Sequence, residues 1–574
     1  MRCVFLLLLS AVSAAAAELV LEVELRWRGA ALAVPSAEVA GAEGRSLRVT
    51  RWATLVSGVT LARADGGLVR LDGQYGFVDA AAERMQVVLR NVPTGEYVGI
   101  EFQLGLPAAV NHADPAQWPA GHPLNPIVNG LHWGWSGGYV FAAIEGRWRA
   151  TGATEERGFS YHLATDERLM TVGFNARLAV AGPTKVRLAL DLGKVLGAQV
   201  LRSDDGSETT HSGAGDALAV TLARAVERAW FFLEAGPTVN IEPERRVKDN
   251  ASYLGTPRAF AVPAGFPPPE LPADNPLTEE GIELGRRLFG DRRLSARDTQ
   301  SCATCHRAEL AFSDGRALST GADGKTGTRN SMPLFNLAWS PSYAWDGSKP
   351  RLRDQALAAL TSAVEMHGEP KMVEATLGRD PRVRADFAAA FGTPEVTLER
   401  IGRALEQFML TLVAADSKFD RALRGEAELS ADEKRGFELF STEFDPARGK
   451  RGADCFHCHG GALFTDFGFR DNGLGATHGD AARAGVTGRA TDAGKFKTPS
   501  LRNVALTAPY MHDGRLGTLE EVVAHYDHGV SRSATLDPNL AKHPDAGLQL
   551  TTDEQRALVA FLRTLTDLKP SYRP

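Results

Sequence analysis

The stretches "CATCH" and "CFHCH" hold Cys302, Cys305 and His306, and Cys455, Cys458 and His459. C-x-x-C-H is the spacing at which c-type haem is attached. Two thiols bond the two vinyl groups of one porphyrin, and the adjacent imidazole swings beneath the iron as its axial ligand. A dithiol redox pair has no use for that histidine, and a structural zinc site needs a second Cys/His pair nearby. Of the five cysteines only Cys3 lies outside the two motifs, ahead of an N-terminal apolar run. Two covalently bound c-type haems are therefore expected, rather than disulfides.

The elements that carry these motifs repeat. "LTEEGIELGRRLF" begins at Leu277, 25 residues before Cys302, and "LSADEKRGFELF" begins at Leu429, 26 residues before Cys455. Ser430 and Glu433 read as a capping box, as do Thr551 and Glu554 ahead of "EQRALVAFLRTL". A similar amphipathic pattern, "LERIGRALEQFMLTL", lies between the cysteine motifs. The economical reading is one small helical module used twice, over 277–425 and 426–574. Upstream, "VPAGFPPPELPADNP" lacks periodicity and marks a Pro-rich linker or strap over 236–276.

From 18 to 235 the period is two. Leu21, Val23, Leu25 and Trp27 alternate with Glu22, Glu24 and Arg26; Val98, Ile100, Phe102 and Leu104 follow the same rule, as do Val186, Leu188, Leu190 and Leu192. The expected architecture is multi-domain: an N-terminal all-β sandwich, then two mainly α-helical cytochrome c-like lobes. A chain of 574 residues with 44% hydrophobic and 23% charged composition suits several globular units. Its net charge of −6 leaves no footprint for nucleic acid or an anionic membrane. "MRCVFLLLLSAVSAAAA" (1–17) reads as a secretory signal cleaved near Ala17, with an apolar run too short to span a bilayer. Export to the periplasm without an integral membrane segment is expected.

Between and around the haem motifs, "DNPLTEEGIELGRRLF", "LAFSDGRALSTG", "GTRNSMPLFNLAW", "YAWDG" and "KTPSLRNVALTAPYMHDGRLGTLEEVVAHY" resemble the bacterial di-haem cytochrome c peroxidases and their MauG-like relatives. The resemblance runs over 265–570 and implies a peroxidatic haem in the first lobe and an electron-transfer haem in the second. It implies that Trp345 lies between the haems as a relay, and that Gln355 and Glu365 line the open face of the first. A carboxyl group there can move a proton between the two oxygens of bound hydrogen peroxide. Asn330, with the carbonyls of Thr507 and Pro509, matches the family's calcium site, an oxygen-only set suited to a hard cation.

Two positions depart from the ordinary peroxidases. Where many carry a distal histidine after "STG", this chain has Ala322, which implies a permanently open first haem. Where the second haem usually has a methionine, Tyr526 is the candidate ligand, with Met511 of "PYMHDG" a poorer one. A tyrosinate is hard and anionic, and it supports higher iron oxidation states better than a thioether does. Both departures match the MauG-like branch, whose members use peroxide to oxidise side chains of a separate protein.

The first half also has a resemblance. "NVPTGEYVGIEFQLGLPAAVNHADP", "HWGWSGGYVFAAIEG" and "GFSYHLAT" are similar to the MbnP-like copper-binding proteins over roughly 19–235. Their usual partner is a separate MauG-like enzyme of the MbnH type, which converts a tryptophan to kynurenine that then helps bind copper. This chain looks like the two proteins fused. Trp133 and Trp135 are the candidate oxidised residues, and His112, His132 and His162 the candidate copper ligands, since imidazoles suit copper. In an arbitrary β domain, W-x-W before Gly-Gly is aromatic core and a turn; a haem oxidase in the same chain favours a site. Three activities are consistent with these residues. The chain oxidises its own N-terminal domain with peroxide. Or it is a cytochrome c peroxidase fed by a small redox protein, its β domain serving in docking or copper binding. Or it chiefly handles copper, and the haems act once in maturation.

Overall fold

The computed structural model describes residues 16–133, 138–199, 201–202, 205–237, 255–475 and 480–567. The alternating segment forms the strand Ala16–Trp27, with Leu21, Val23, Leu25 and Trp27 buried. It runs parallel to Thr184–Asp191 and antiparallel to Gln86–Pro93, and Trp230–Pro237 joins beyond Thr184–Asp191. A second sheet is built on the long strand Ser46–Arg63, flanked by Gly95–Leu104 and by Gly138–Arg149, which in turn pairs with Arg157–Ala164. Both sheets feed one core that includes Trp52, Phe102, Phe141, Leu188 and Trp230.

Val98 breaks the expected alternation. Ala62 pairs with Gly99 and Arg63 with Tyr97, so Val98 is the extra residue of a bulge and is exposed, while Tyr97 and Ile100 are buried. The β half also contains a helix, Ala217–Arg228, capped by the Asp216 carboxylate on the Ala219 N–H at 3.1 Å. Its buried Ala219, Leu222, Ala223 and Val226 follow helical spacing, which the period-2 reading of the surroundings obscures.

In the second half, Glu279–Phe289 packs on Leu398–Leu410, and Ala431–Ser441 packs on Thr552–Arg563. The crossings are equivalent. A β-carbon on Gly285 would lie 1.9 Å from the Ala404 carbonyl, and one on Gly436 would lie 1.9 Å from that of Ala557. Both expected capping boxes form, Ser430 with Glu433 and Thr551 with Glu554. The described part of the Pro-rich segment is docked: the Trp339 indole donates to the Pro267 carbonyl at 2.6 Å, and the Asn125 amide of the β half donates to Pro268 at 3.3 Å. Among the described residues, no helix is long and apolar enough to cross a membrane.

The halves meet along a polar seam. Strand Arg157–Ala164 lies on the short helix Pro538–Ala541, so closely that a β-carbon on Gly158 would sit 1.9 Å from the Pro538 carbonyl. Guanidinium groups bridge on either side, Arg147 to the Ser533 carbonyl at 2.6 Å, Arg157 to Lys542 at 3.1 Å, and Arg448 to Thr209 at 3.1 Å. Gly158→Ala is expected to lower stability by about 1–3 kcal/mol through overpacking. Gly182→Ala, where an added carbon meets nothing within 4 Å, is expected to change it by less than about 0.5 kcal/mol. Equal thermal midpoints for the two variants would contradict a close-packed seam.

Candidate active site and interdomain histidine cluster

No disulfide joins Cys302, Cys305, Cys455 or Cys458. The His306 Nδ1 lies 2.7 Å from the Phe312 carbonyl, and the His459 Nδ1 lies 3.1 Å from that of Phe464. Such a bond places the proton on Nδ1 and leaves Nε2 basic and oriented for iron. Phe312 and Phe464 both adopt left-handed backbone, φ 61° and 51°, at equivalent places in the repeat. Burial pushes the pKa of both imidazoles down, which favours the neutral, ligating form.

Cys302, Cys305 and His306 line a cavity of about 370 Å³ whose apolar wall includes Phe289, Leu334, Leu405 and Met409. Two thiols and an imidazole opening onto one largely apolar cavity fit a thioether-bound porphyrin. Gln355, from the helix Leu352–Thr361, and Glu365, from the turn after it, line the same cavity. The Ala322 N–H donates to the Glu365 carbonyl at 2.7 Å, and the Gly321 backbone lies against that turn, with no room for a side chain. The position after "STG" thus contributes only a methyl group.

Trp345 also lines the cavity and is buried against Met332, Ala482 and Phe496. Its indole donates to the Asn330 carbonyl at 2.9 Å, and its own carbonyl accepts from the Lys497 N–H at 2.7 Å. Asn330 in turn donates its backbone N–H to His512 at 2.7 Å. Trp345 therefore sits where the lobes join. The Asn330 amide nitrogen is committed to the carbonyls of Arg316 and Ala317, at 2.8 and 3.2 Å, so Oδ1 is the side-chain oxygen left to offer a cation. The Thr507 hydroxyl donates to Val504 at 3.2 Å.

Tyr526 stands in a single π-helical turn, His525–Gly529, a local form common at functional sites. Its hydroxyl accepts from the Asn472 amide at 3.3 Å, and the same nitrogen lies 3.5 Å from the Met511 sulfur. The two alternative ligands are therefore neighbours. Burial pushes the Tyr526 hydroxyl up to about 12, and the Asn472 bond acts in the opposite sense.

Trp133 belongs to a short pairing, His132–Trp133 against Gly138 and Tyr139. Its ring is half-buried and packs against both the β core and the core of the second lobe. The partner across the seam is Phe456 of "CFHCH", edge-on with ring centroids 6.4 Å apart. Trp135 lies outside the described residues.

Beside Trp133 the structure gathers His162, His211 and His457, with a ring nitrogen of each within 4.8 Å of the others. Of the three histidines expected to act together, only His162 is in this group. His112 is exposed and bonds Asp166 at 2.9 Å. His132 packs edge-on against Tyr139, 4.6 Å between centroids, where burial lowers its pKa to about 4. His211, in "TTHSG", and His457 were the functional candidates missed. A signal existed for His457, which fills a variable position of the attachment motif with a second ligand-type side chain.

The family model for di-haem cytochrome c peroxidase matches residues 279–428, and the MbnP model matches 16–212. Over 312 residues the chain is 39% identical to the methylamine utilization protein MauG of Methylorubrum extorquens, covering 53% of this chain and 84% of that protein. The chain belongs to the di-haem peroxidase and MauG family. Within that family it is 34% identical to the cytochrome c551 peroxidase of Pseudomonas aeruginosa, covering 51% of this chain and 81% of the relative. A solved MauG-like protein associated with microbial copper homeostasis matches at 34% identity and TM-score 0.50, covering 55% of this chain and 99% of that one. The helical half is thus an oxidoreductase of the di-haem peroxidase family, fused to an MbnP-type domain. A pyridine haemochrome assay is expected to find two haems per chain, and one in a Cys302→Ser, Cys305→Ser double variant. Two haems in that variant would contradict attachment at the first motif.

Proposed function

We propose that this periplasmic protein, exported by its first 17 residues, uses hydrogen peroxide to oxidise Trp133 of its own copper-binding β domain to kynurenine. The observation that supports this most is the contact of Trp133 with Phe456, which lies between the two cysteines of the second attachment motif. The intended substrate is part of the chain and already lies against the oxidising half.

When bound at the two motifs, the haems supply peroxide cleavage and storage of oxidising equivalents. Glu365 takes a proton from one peroxide oxygen and delivers it to the other, while the Gln355 amide orients the molecule. Ala322 leaves the approach open. Trp345, hydrogen-bonded through Asn330, serves as the relay between the lobes. Tyr526 is the proposed second-haem ligand, with Asn472 steadying its oxygen. The Asn330 side-chain oxygen with the carbonyls of Thr507 and Pro509 is the proposed calcium site, and calcium there would hold the residue on which the Trp345 indole rests.

Electron balance requires two turnovers. Two peroxide molecules become two water molecules as the indole gains two oxygen atoms and gives N-formylkynurenine; hydrolysis then releases formate and leaves kynurenine. Trp133 gives up its electrons across the Phe456 contact. The product's aromatic amine would add a donor beside His162 for copper.

Peptide mass analysis after peroxide is expected to show kynurenine at Trp133, absent in His306→Ala and formed roughly 10²- to 10⁴-fold more slowly in Glu365→Gln. Intact Trp133 alongside rapid oxidation of a small reduced cytochrome would overturn this reading in favour of the peroxidase one. For the second haem, Tyr526→Phe is expected to change the visible and EPR signature while Met511→Leu does not. The reverse pattern would assign the ligand to Met511.

A further inference from the structure

We propose that Lys497, a residue of the second lobe, binds a propionate carboxylate of the haem attached at Cys302 and Cys305, so that both lobes hold the first haem. Lys497 is only 4% exposed and lines the same cavity as the two cysteines and His306. It ends the short strand Phe496–Lys497, which pairs with Phe469–Arg470 of its own lobe. Its backbone N–H donates to the Trp345 carbonyl at 2.7 Å, which fixes the root of the side chain where the lobes join.

The partners of this ammonium are neutral. Nζ donates to the Ser342 carbonyl and, at 3.3 Å, to the Ser340 hydroxyl. The ring centroids of Tyr343 and Phe469 lie 5.9 Å and 6.0 Å away. Among the described residues, the charges it feels are Arg483, which repels it, and Asp346, whose carboxylate is bonded to Arg329 at 2.7 Å. Arg329 is the other Lys or Arg lining the cavity, and Asp480 holds it at 2.7 Å as well. Of the two cations, one therefore has two carboxylates and Lys497 has none.

A buried ammonium is costly unless an anion lies within reach. Burial with so little compensation pushes the pKa of Lys497 down to about 7. A c-type haem brings two propionate carboxylates into the cavity whose wall carries this side chain. Pairing one of them with Nζ gives a charge-assisted hydrogen bond and restores the charged form of the lysine. A cation held at the porphyrin edge also stabilises the reduced iron, whose net charge is the more negative. The same residue steadies Trp345 through its backbone, so the first haem and the proposed relay share one anchor. The inference rests on haem attachment at the first motif and not on the oxidation of Trp133.

The test is resonance Raman spectroscopy and redox titration of the full-length, haem-loaded protein, since the propionate bending band reports what that carboxylate bonds. Lys497→Met keeps the apolar stem and removes the charge. With two haems confirmed, it is expected to shift the band and to lower the midpoint potential of the haem that the Cys302→Ser, Cys305→Ser variant lacks. Lys497→Arg is expected to keep both close to wild type. An unchanged band with unchanged potentials in Lys497→Met, or a change confined to the other haem, would overturn the proposal. If Lys497→Met loads one haem, peptide mapping decides. Loss at Cys302 and Cys305 that Lys497→Arg restores supports the pairing, and the same loss in both variants overturns it. Peroxide is absent throughout, so the result stands apart from the fate of Trp133.

Discussion

The contact between Trp133 and Phe456 depends on how closely the two halves meet, and polar groups along the seam hold that approach. Glu443 of the second lobe is bonded to Lys542 at 2.8 Å and also takes up the Thr209 hydroxyl and the His211 ring of the β half, each at 2.5 Å. Separating the halves would strip Glu443 of its Thr209 and His211 partners. The neighbouring Gly158 permits the backbone approach that lets the network close. The aromatic contact is a consequence of that closure.

A substrate held this way changes the kinetic problem. For two separate proteins, each turnover needs an encounter that docks specific patches, whereas a tethered and docked domain presents its side chain at a fixed effective concentration. On the proposed function, fusion removes the encounter step and sets Trp133 against the haem-bearing half. The same seam brings His162 and His211 to His457 beside the Trp133 ring.

Much of the haem-bearing half is legible in the sequence. Haem attachment requires adjacent residues in a fixed order, so Cys302, Cys305, His306 and their counterparts stand out. The helical repeat shows through Gly285 and Gly436, because close crossing at those points forbids a side chain. Glu365, Gln355 and Trp345 line one cavity with Cys302, Cys305 and His306. What was not legible depends on contacts between distant segments. His211 and His457 are 246 positions apart in sequence and meet only because the seam closes. His112 and His132 look like ligands locally, yet His112 is exposed beside Asp166 and His132 packs on Tyr139, and neither joins the group around His162. Val98 fails the alternation because a bulge flips its face, which no local pattern encodes.

The central claim is that Trp133 is oxidised by the chain that carries it. The most direct measurement is the first-order rate of Trp133 loss after limiting peroxide, followed by quenched-flow peptide mass analysis across a wide range of protein concentration. A rate constant independent of concentration is the predicted result, since donor and acceptor share one folded seam. A rate constant rising in proportion to concentration would mean that one molecule oxidises another, and would contradict the account.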